Sequence, residues 1–213
     1  MLERFKVPHE DEVHVPEQSL RETVTAIFEK VGVPPESAAE GADVLVTTDL
    51  RGVESHGGSN MLRTYVQGFK EGRLNARPNW QIVRESPSTA TIDGDQGLGI
   101  ILGPPAMRLA IEKAKNVGMG VVTMYNSGHL GPCGHHAMLC AREDMVGMCA
   151  TCSGKRVLPT FGAEPRLGTN PIAVAAPAGN EPPFLLDVAT SAIAGGKVAI
   201  AGGSGFKVSP GWV

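Results

Sequence analysis

An α/β protein is predicted, with a helical amino-terminal part followed by a mixed-sheet domain, and three observations lead there. Apolar residues recur at helical spacing through the first seventy residues. From Trp80 onward, short strand-like runs alternate with helical ones, the pattern of a mixed sheet with helices packed on it. Glycine and proline, 27 and 16 of 213 residues, bunch between those runs at 94–105, 128–134, 159–171 and 195–211, so the connections are sharp and the elements short. The turn-rich stretch 72–79 (GRLNARPN) divides the chain into 1–75 and 76–213.

The elements follow in order. Residues 16–31 form an amphipathic helix with Leu20, Val24, Ile27, Phe28 and Val31 in one stripe, ended by Gly32. Residues 35–49 form a second, with Ala39, Ala42, Leu45 and Val46 on one face. Ser59 is placed to cap a third, in which Leu62, Tyr65, Val66 and Phe69 recur at helical spacing. Residues 81–84 and 89–92 read as short strands and 104–117 as a helix. Residues 118–124 read as a buried strand, and 132–142 as another helix. Strands at 145–151, 172–176 and 184–188 complete the sheet.

Composition excludes several classes. A net charge of −3, with no Lys/Arg cluster on any expected helix, leaves no footprint for nucleic acid. No apolar run reaches membrane-spanning length and residues 1–12 are charged throughout, unlike a signal peptide, so the expected location is the cytoplasm. Cys133, Cys140, Cys149 and Cys152, with His135 and His136 nearby, invite a zinc reading. The strand expected at 145–151 argues against it, because residues three apart on a strand point to opposite faces and Ala-Thr supplies no tight turn. Reduced, buried thiols and no metal site are expected, in keeping with a cytosolic compartment.

Chemistry gathers around histidines. Arg51-Gly52-Val53-Glu54-Ser55-His56-Gly57-Gly58 places an imidazole in a glycine-rich turn between two helices, where a ligand can approach the backbone. Such a group can give or take a proton near neutral pH, although the same spacing also suits a plain turn. His129, in Ser127-Gly128-His129-Leu130-Gly131, follows a strand, and strand-end loops of α/β sheets commonly bind ligands. A half-buried histidine bonded to backbone is the other reading. Asp187 ends an apolar strand, where it can bond backbone amides of the next turn, contact a ligand or partner an imidazole.

Taken in order, the blocks at 51–57 (RGVESHG), 118–131 (GMGVVTMYNSGHLG), 167–171 (LGTNP) and 186–191 (LDVATS) resemble the type 2 malate/L-lactate dehydrogenase family. These nicotinamide enzymes are unrelated to the Rossmann lactate and malate dehydrogenases. The resemblance runs from about Pro16 onward, and Pro210-Gly211-Trp212 looks like the start of a further block. It implies a non-Rossmann nicotinamide-binding domain using NAD or NADP, a small 2-hydroxy or 2-oxo acid as substrate, and a homodimer. It assigns acid/base duty to His129, with His56 beside it at the substrate. Asp187, Val188, Ala189 and Ser153 would line the cofactor, and Gly168, Thr169, Asn170 and Pro171 would lie near the active site. It also implies a segment of more than a hundred residues after the tryptophan block, with a lysine-glycine motif at the cofactor site. The domain is therefore expected to be truncated, leaving an exposed sheet edge and an apolar patch.

Hydride transfer needs a base for the hydroxyl proton, a cation or donors for the carboxylate, and a dry slot for the reacting carbons. The histidines serve the first; Arg51 or Arg63 could serve the second. The family usually carries an arginine five residues after the loop serine, a bidentate carboxylate clamp. Here that position is Asn60, and Arg63 lies one turn further on the same helix, where it could reach inward beside Ser55. His135 stands where the family often has an aromatic residue.

Two other enzyme readings fail on context. Gly97-Leu98-Gly99-Ile100-Ile101-Leu102-Gly103 resembles a dinucleotide loop, but Asp93-Gly94-Asp95 interrupts the preceding strand and no acidic residue ends the next. A serine hydrolase lacks its Gly-x-Ser-x-Gly elbow. The remaining alternative is a non-catalytic homologue acting as a dimerising or binding module. The particular acid (malate, lactate, sulfolactate, ureidoglycolate or a cyclic imino acid) stays open, as does NAD against NADP.

Overall fold

The computed structural model describes residues 9–203, 205 and 207, so Pro210-Gly211-Trp212 lies outside the described residues. Three helices come first: α1 (Glu17–Lys30), α2 (Pro35–Leu50) and α3 (Gly58–Lys70). Then follow β1 (Gln81–Glu85), β2 (Thr89–Asp93), α4 (Gly99–Val117), β3 (Val121–Tyr125), α5 (Cys133–Ala141), β4 (Gly147–Ala150), β5 (Ile172–Ala176), β6 (Phe184–Val188) and α6 (Gly195–Gly203).

The first core is helical. Val24 and Phe28 of α1 pack with Ala42, Leu45 and Val46 of α2 and with Tyr65 and Phe69 of α3. Phe28 and Phe69 meet edge to face, ring centroids 6.3 Å apart. Leu98, Ile100 and Ile101 belong to the same core, so the start of α4 is packed against the amino-terminal helices. Burying large apolar side chains at about 1.5–3 kcal/mol each is what holds this bundle together.

Instead of one sheet there are two. The first has the order β1-β2-β3, with β1/β2 antiparallel and β2/β3 parallel across the α4 crossover. The second, β4-β5-β6, is antiparallel throughout. Helix α5 packs on all three of its strands, burying Cys133, Ala137 and Ala141 against Ala173 and Ala175. Strand alternation sends Met148, Phe184, Leu186 and Val188 to the opposite face, where they are 43–62% exposed. An apolar face is thus uncovered.

Several local expectations are corrected. The helix expected from 104 begins at Gly99, with Pro104 and Pro105 inside it. Burial of Ile100, Ile101 and Leu102 overrides the lost amide donors of the two prolines. The strand expected to be buried at 118–124 is β3, an edge strand whose Val121 and Tyr125 are 45% and 51% exposed. The strand expected at 145–151 is shorter, and the thiols are not uniformly buried: Cys133 and Cys140 are, Cys149 is half-buried and Cys152 is exposed. The residue preceding α3 as its cap is Gly57 rather than Ser59, and Asp49 from α2 supplies the bonding carboxylate. Helix α6, in a glycine-rich stretch read only as turns, is an addition.

Candidate active site

The turn between α2 and α3 is built around Asp49. Its Oδ2 accepts the Gly58 N–H at 2.8 Å, satisfying one orphan donor at the start of α3. A side chain at Gly57 would fall inside the van der Waals shell of the Asp49 carboxylate, so a larger residue there would have to displace it. With the carboxylate so held, residues Glu54–His56 wind into a single 3-10 turn. The buried Ser55 hydroxyl lies 2.9 Å from His56 Nδ1. Asn60 Nδ2 donates to the Ser55 carbonyl at 2.9 Å, so it braces this turn from α3. Arg63 is exposed and makes no ion pair among the described residues.

His129 is delivered from the other side, in the loop after β3. Ile100 N–H at the start of α4 donates to its carbonyl at 3.1 Å, and Gly128 N–H donates to the Gly97 carbonyl at 2.8 Å. A Cβ at Gly99 would lie 2.7 Å from the His129 carbonyl oxygen. The glycines of 97–103 that resemble a dinucleotide loop thus let the protein's own backbone pass closely beneath the histidine loop.

The two imidazoles converge. The rings of His56 and His129 stack with centroids 5.7 Å apart and an interplanar angle of 25°. Tyr65 from α3, a fully buried core residue, brings its hydroxyl 2.7 Å from His129 Nδ1. Loss of water around His129 pushes its pKa down, and the charges of His56 and Arg156 push the same way. His56 is also lowered by burial; the Asp187 carboxylate opposes this and Lys197 adds to it. Both shifts favour the neutral form of the rings, the His129 residue itself being exposed at the surface.

Asp187 occupies the α5 face of β6 and accepts the Gly134 N–H at 2.8 Å, at the start of α5. Partial desolvation raises its pKa, while Gly134 N–H, His56 and Arg51 hold it down. Val188 points to the opposite, uncovered face and Ala189 is half-buried, so Asp187 alone of this trio faces the imidazoles.

At the same end of the second sheet, Thr169 N–H donates to Ser153 Oγ at 2.9 Å and Ser153 N–H to Asn170 Oδ1 at 3.2 Å. Thr190 donates its N–H and hydroxyl to the Thr169 carbonyl at 2.9 and 3.0 Å. Ser153, Thr169, Asn170 and Thr190 thus form one polar cluster, the first and last exposed and the middle two half-buried. Most of its donors are spent within the cluster; the Asn170 side-chain amide and the Ser153 and Thr169 hydroxyls are the polar groups it offers to the amide and sugar groups of a nicotinamide cofactor. Among the described residues, no three metal-binding side chains converge.

Three participants were not singled out by sequence reasoning, Arg156 among them. Tyr65 looked like one more apolar position of a helical stripe, and Lys197 sits in the unexpected α6, whose Gly196 approaches Ser55. Nothing in the local pattern distinguished them.

A family model described as malate/L-lactate dehydrogenase matches residues 15–213. A malate dehydrogenase of Pyrococcus abyssi is 45% identical over 203 residues, covering 95% of this chain and 56% of the relative. An L-sulfolactate dehydrogenase of Methanocaldococcus jannaschii is 46% identical over 178 residues, 84% of this chain and 51% of the relative. The solved structure of malate dehydrogenase from Pyrococcus horikoshii OT3 superposes with a TM-score of 0.87 at 47% identity, covering 91% of this chain and 55% of that one. The chain spans about half the length of the relatives it matches.

Proposed function

The chain belongs to the malate/L-lactate dehydrogenase family, and from that premise we propose that it transfers hydride between NAD or NADP and a small 2-hydroxy or 2-oxo acid. The observation that carries this reading is the stacked pair His56 and His129, both with Nδ1 engaged by a hydroxyl. When bound, the nicotinamide ring supplies hydride to, or takes it from, the carbon bearing the substrate oxygen. The chain's own residues do the rest. The imidazole pair provides acid/base function at that oxygen: a proton is delivered as the carbonyl is reduced and removed as the hydroxyl is oxidised. Asp187 supports a positive charge on His56.

Ser153, Asp187 and Ala189 are proposed to line the cofactor, and Ser55, Asn60, Thr169 and Asn170 the substrate; Val188, on the opposite face of β6, and the exposed Arg63 are not among them. Asn60 cannot clamp a carboxylate as an arginine does, and Arg156 and Lys197 are the cations whose charges reach the two imidazoles. We also propose a cytoplasmic homodimer with its helical part ending near residue 75. The uncovered apolar face of the second sheet supports association, and it equally favours the second reading, a dimerising or binding module without turnover.

Titration of the chain with NADH and NADPH, followed by nicotinamide fluorescence, then addition of oxaloacetate or pyruvate, separates the readings. Saturable binding followed by oxidation of the cofactor, abolished in His129→Gln, is expected. A folded protein that binds neither cofactor would overturn the oxidoreductase reading for this chain by itself and point to a cofactor site that needs further residues.

A further inference from the structure

Tyr65 is 2% exposed, and its hydroxyl proton has one acceptor among the described residues, His129 Nδ1 at 2.7 Å. A buried hydroxyl without an acceptor costs about 1–3 kcal/mol. The tyrosine is therefore the donor of this bond and the imidazole nitrogen the acceptor. A neutral ring that accepts at Nδ1 carries its own proton on Nε2. We propose that Tyr65 is a positioning residue that holds His129 in the Nε2–H tautomer, so that His129 meets the substrate oxygen as a hydrogen-bond donor and the removable proton passes through His56.

Both halves of that division rest on geometry. In His129 the lone pair is turned inward to Tyr65, leaving Nε2–H as the edge available to a ligand. In His56 the Nδ1 partner is the Ser55 hydroxyl, which can donate or accept, so this ring is free to exchange tautomers and to carry a proton. Asp187 lies near enough for its charge to favour the imidazolium of His56, whereas the charges acting on His129 are those of His56 and Arg156, which disfavour one. A neutral donor aimed at a carbonyl oxygen stabilises the negative charge that grows there as hydride arrives. Removal of a hydroxyl proton in the opposite direction needs a free lone pair, and in His129 the tyrosine has taken it.

The inference deepens the dehydrogenase reading and rests on it for its catalytic meaning, but the tautomer itself can be observed without turnover. The experiment is a long-range proton–nitrogen correlation spectrum of the ¹⁵N-histidine-labelled full chain, with His129 assigned by the signal lost in His129→Gln. The expected result is an Nε2-protonated His129 in the unmodified protein. Tyr65→Phe, which keeps the ring in the core, should turn it into a mixture of tautomers with an unchanged circular dichroism spectrum. An Nδ1-protonated His129 at the outset, or the same tautomer after Tyr65→Phe, would overturn the proposal. For 2-oxo acid reduction, Tyr65→Phe should lower kcat on the order of a hundredfold, with KM little changed. Altered tautomer with unaltered kcat would overturn the positioning role. Absence of any turnover by the unmodified chain would instead count against the dehydrogenase reading, and the spectrum would still decide what Tyr65 does.

Discussion

Acidification should destabilise this fold through one imidazole in particular. His136 is 1% exposed on α5, and its Nε2–H donates to the Leu130 carbonyl at 2.9 Å. Its Nδ1 is buried and has no partner among the described residues, so a second ring proton would be a charge with nowhere to go. Burial is the main cause that pushes its pKa down to about 4; His135 acts in the same direction, while the Leu130 carbonyl and Glu40 oppose. The unfolded chain, with a histidine near 6.5, binds the proton first, so stability is lost as pH falls from 6.5 toward 4. At about pH 5 the unfolded histidine is some 1.5 pH units below its pKa while the native one remains mostly neutral, which at about 1.4 kcal/mol per unit amounts to about 2 kcal/mol. Urea unfolding at about pH 7.5 and pH 5, in the unmodified chain and in His136→Gln, measures this. The variant starts less stable, but the drop on acidification should shrink by about that 2 kcal/mol. An equal drop in both proteins would refute the reasoning, because acid sensitivity would then come from other groups.

Gly57→Ala should displace the Asp49 carboxylate from the start of α3 and cost about 1–2 kcal/mol, read as a lower urea midpoint; an unchanged midpoint would mean that the turn relaxes freely. Asp187→Asn removes the anion that favours charged His56, so the His56 pKa should fall further in an NMR titration, and a rise would contradict the assigned direction. Leu45→Ala empties a fully buried site of the helical core and should cost about 2–5 kcal/mol by denaturant unfolding. If the oxidoreductase reading holds, Asn60→Arg should lower KM for a 2-oxo acid by adding a carboxylate fork; no effect on KM would place the carboxylate elsewhere.

Reading the chain in order recovered what is locally encoded. The stripe Leu20, Val24, Phe28 marks α1, and the runs at 172–176 and 184–188 are β5 and β6 with the same ends. The histidine loops were visible because glycine flanks them. Less legible was whatever depends on a distant neighbour. Val121 and Met124 look like interior residues, and only the pairing of β3 at a sheet edge exposes that strand. Ser59 looks like a cap, yet the Asp49 carboxylate, nine residues before Gly58, holds the helix start. Asp187 and Val188 are adjacent in a family block, and strand alternation sends them to opposite faces.

The sequence by itself determined most of the element types, the helical core and the family, because periodicity, capping glycines and motif order are properties of neighbouring residues. Tertiary structure alone decided that the strands split into two sheets and that the rings of His56 and His129 stack. It also turned Tyr65 from a core residue into a partner of His129. The physical reason is that a tyrosine on a helix face buries the same ring whether or not its hydroxyl finds an acceptor. Which acceptor it finds depends on a loop sixty-four residues further along the chain, brought within 2.7 Å only when the amino-terminal helices and the start of α4 share one core.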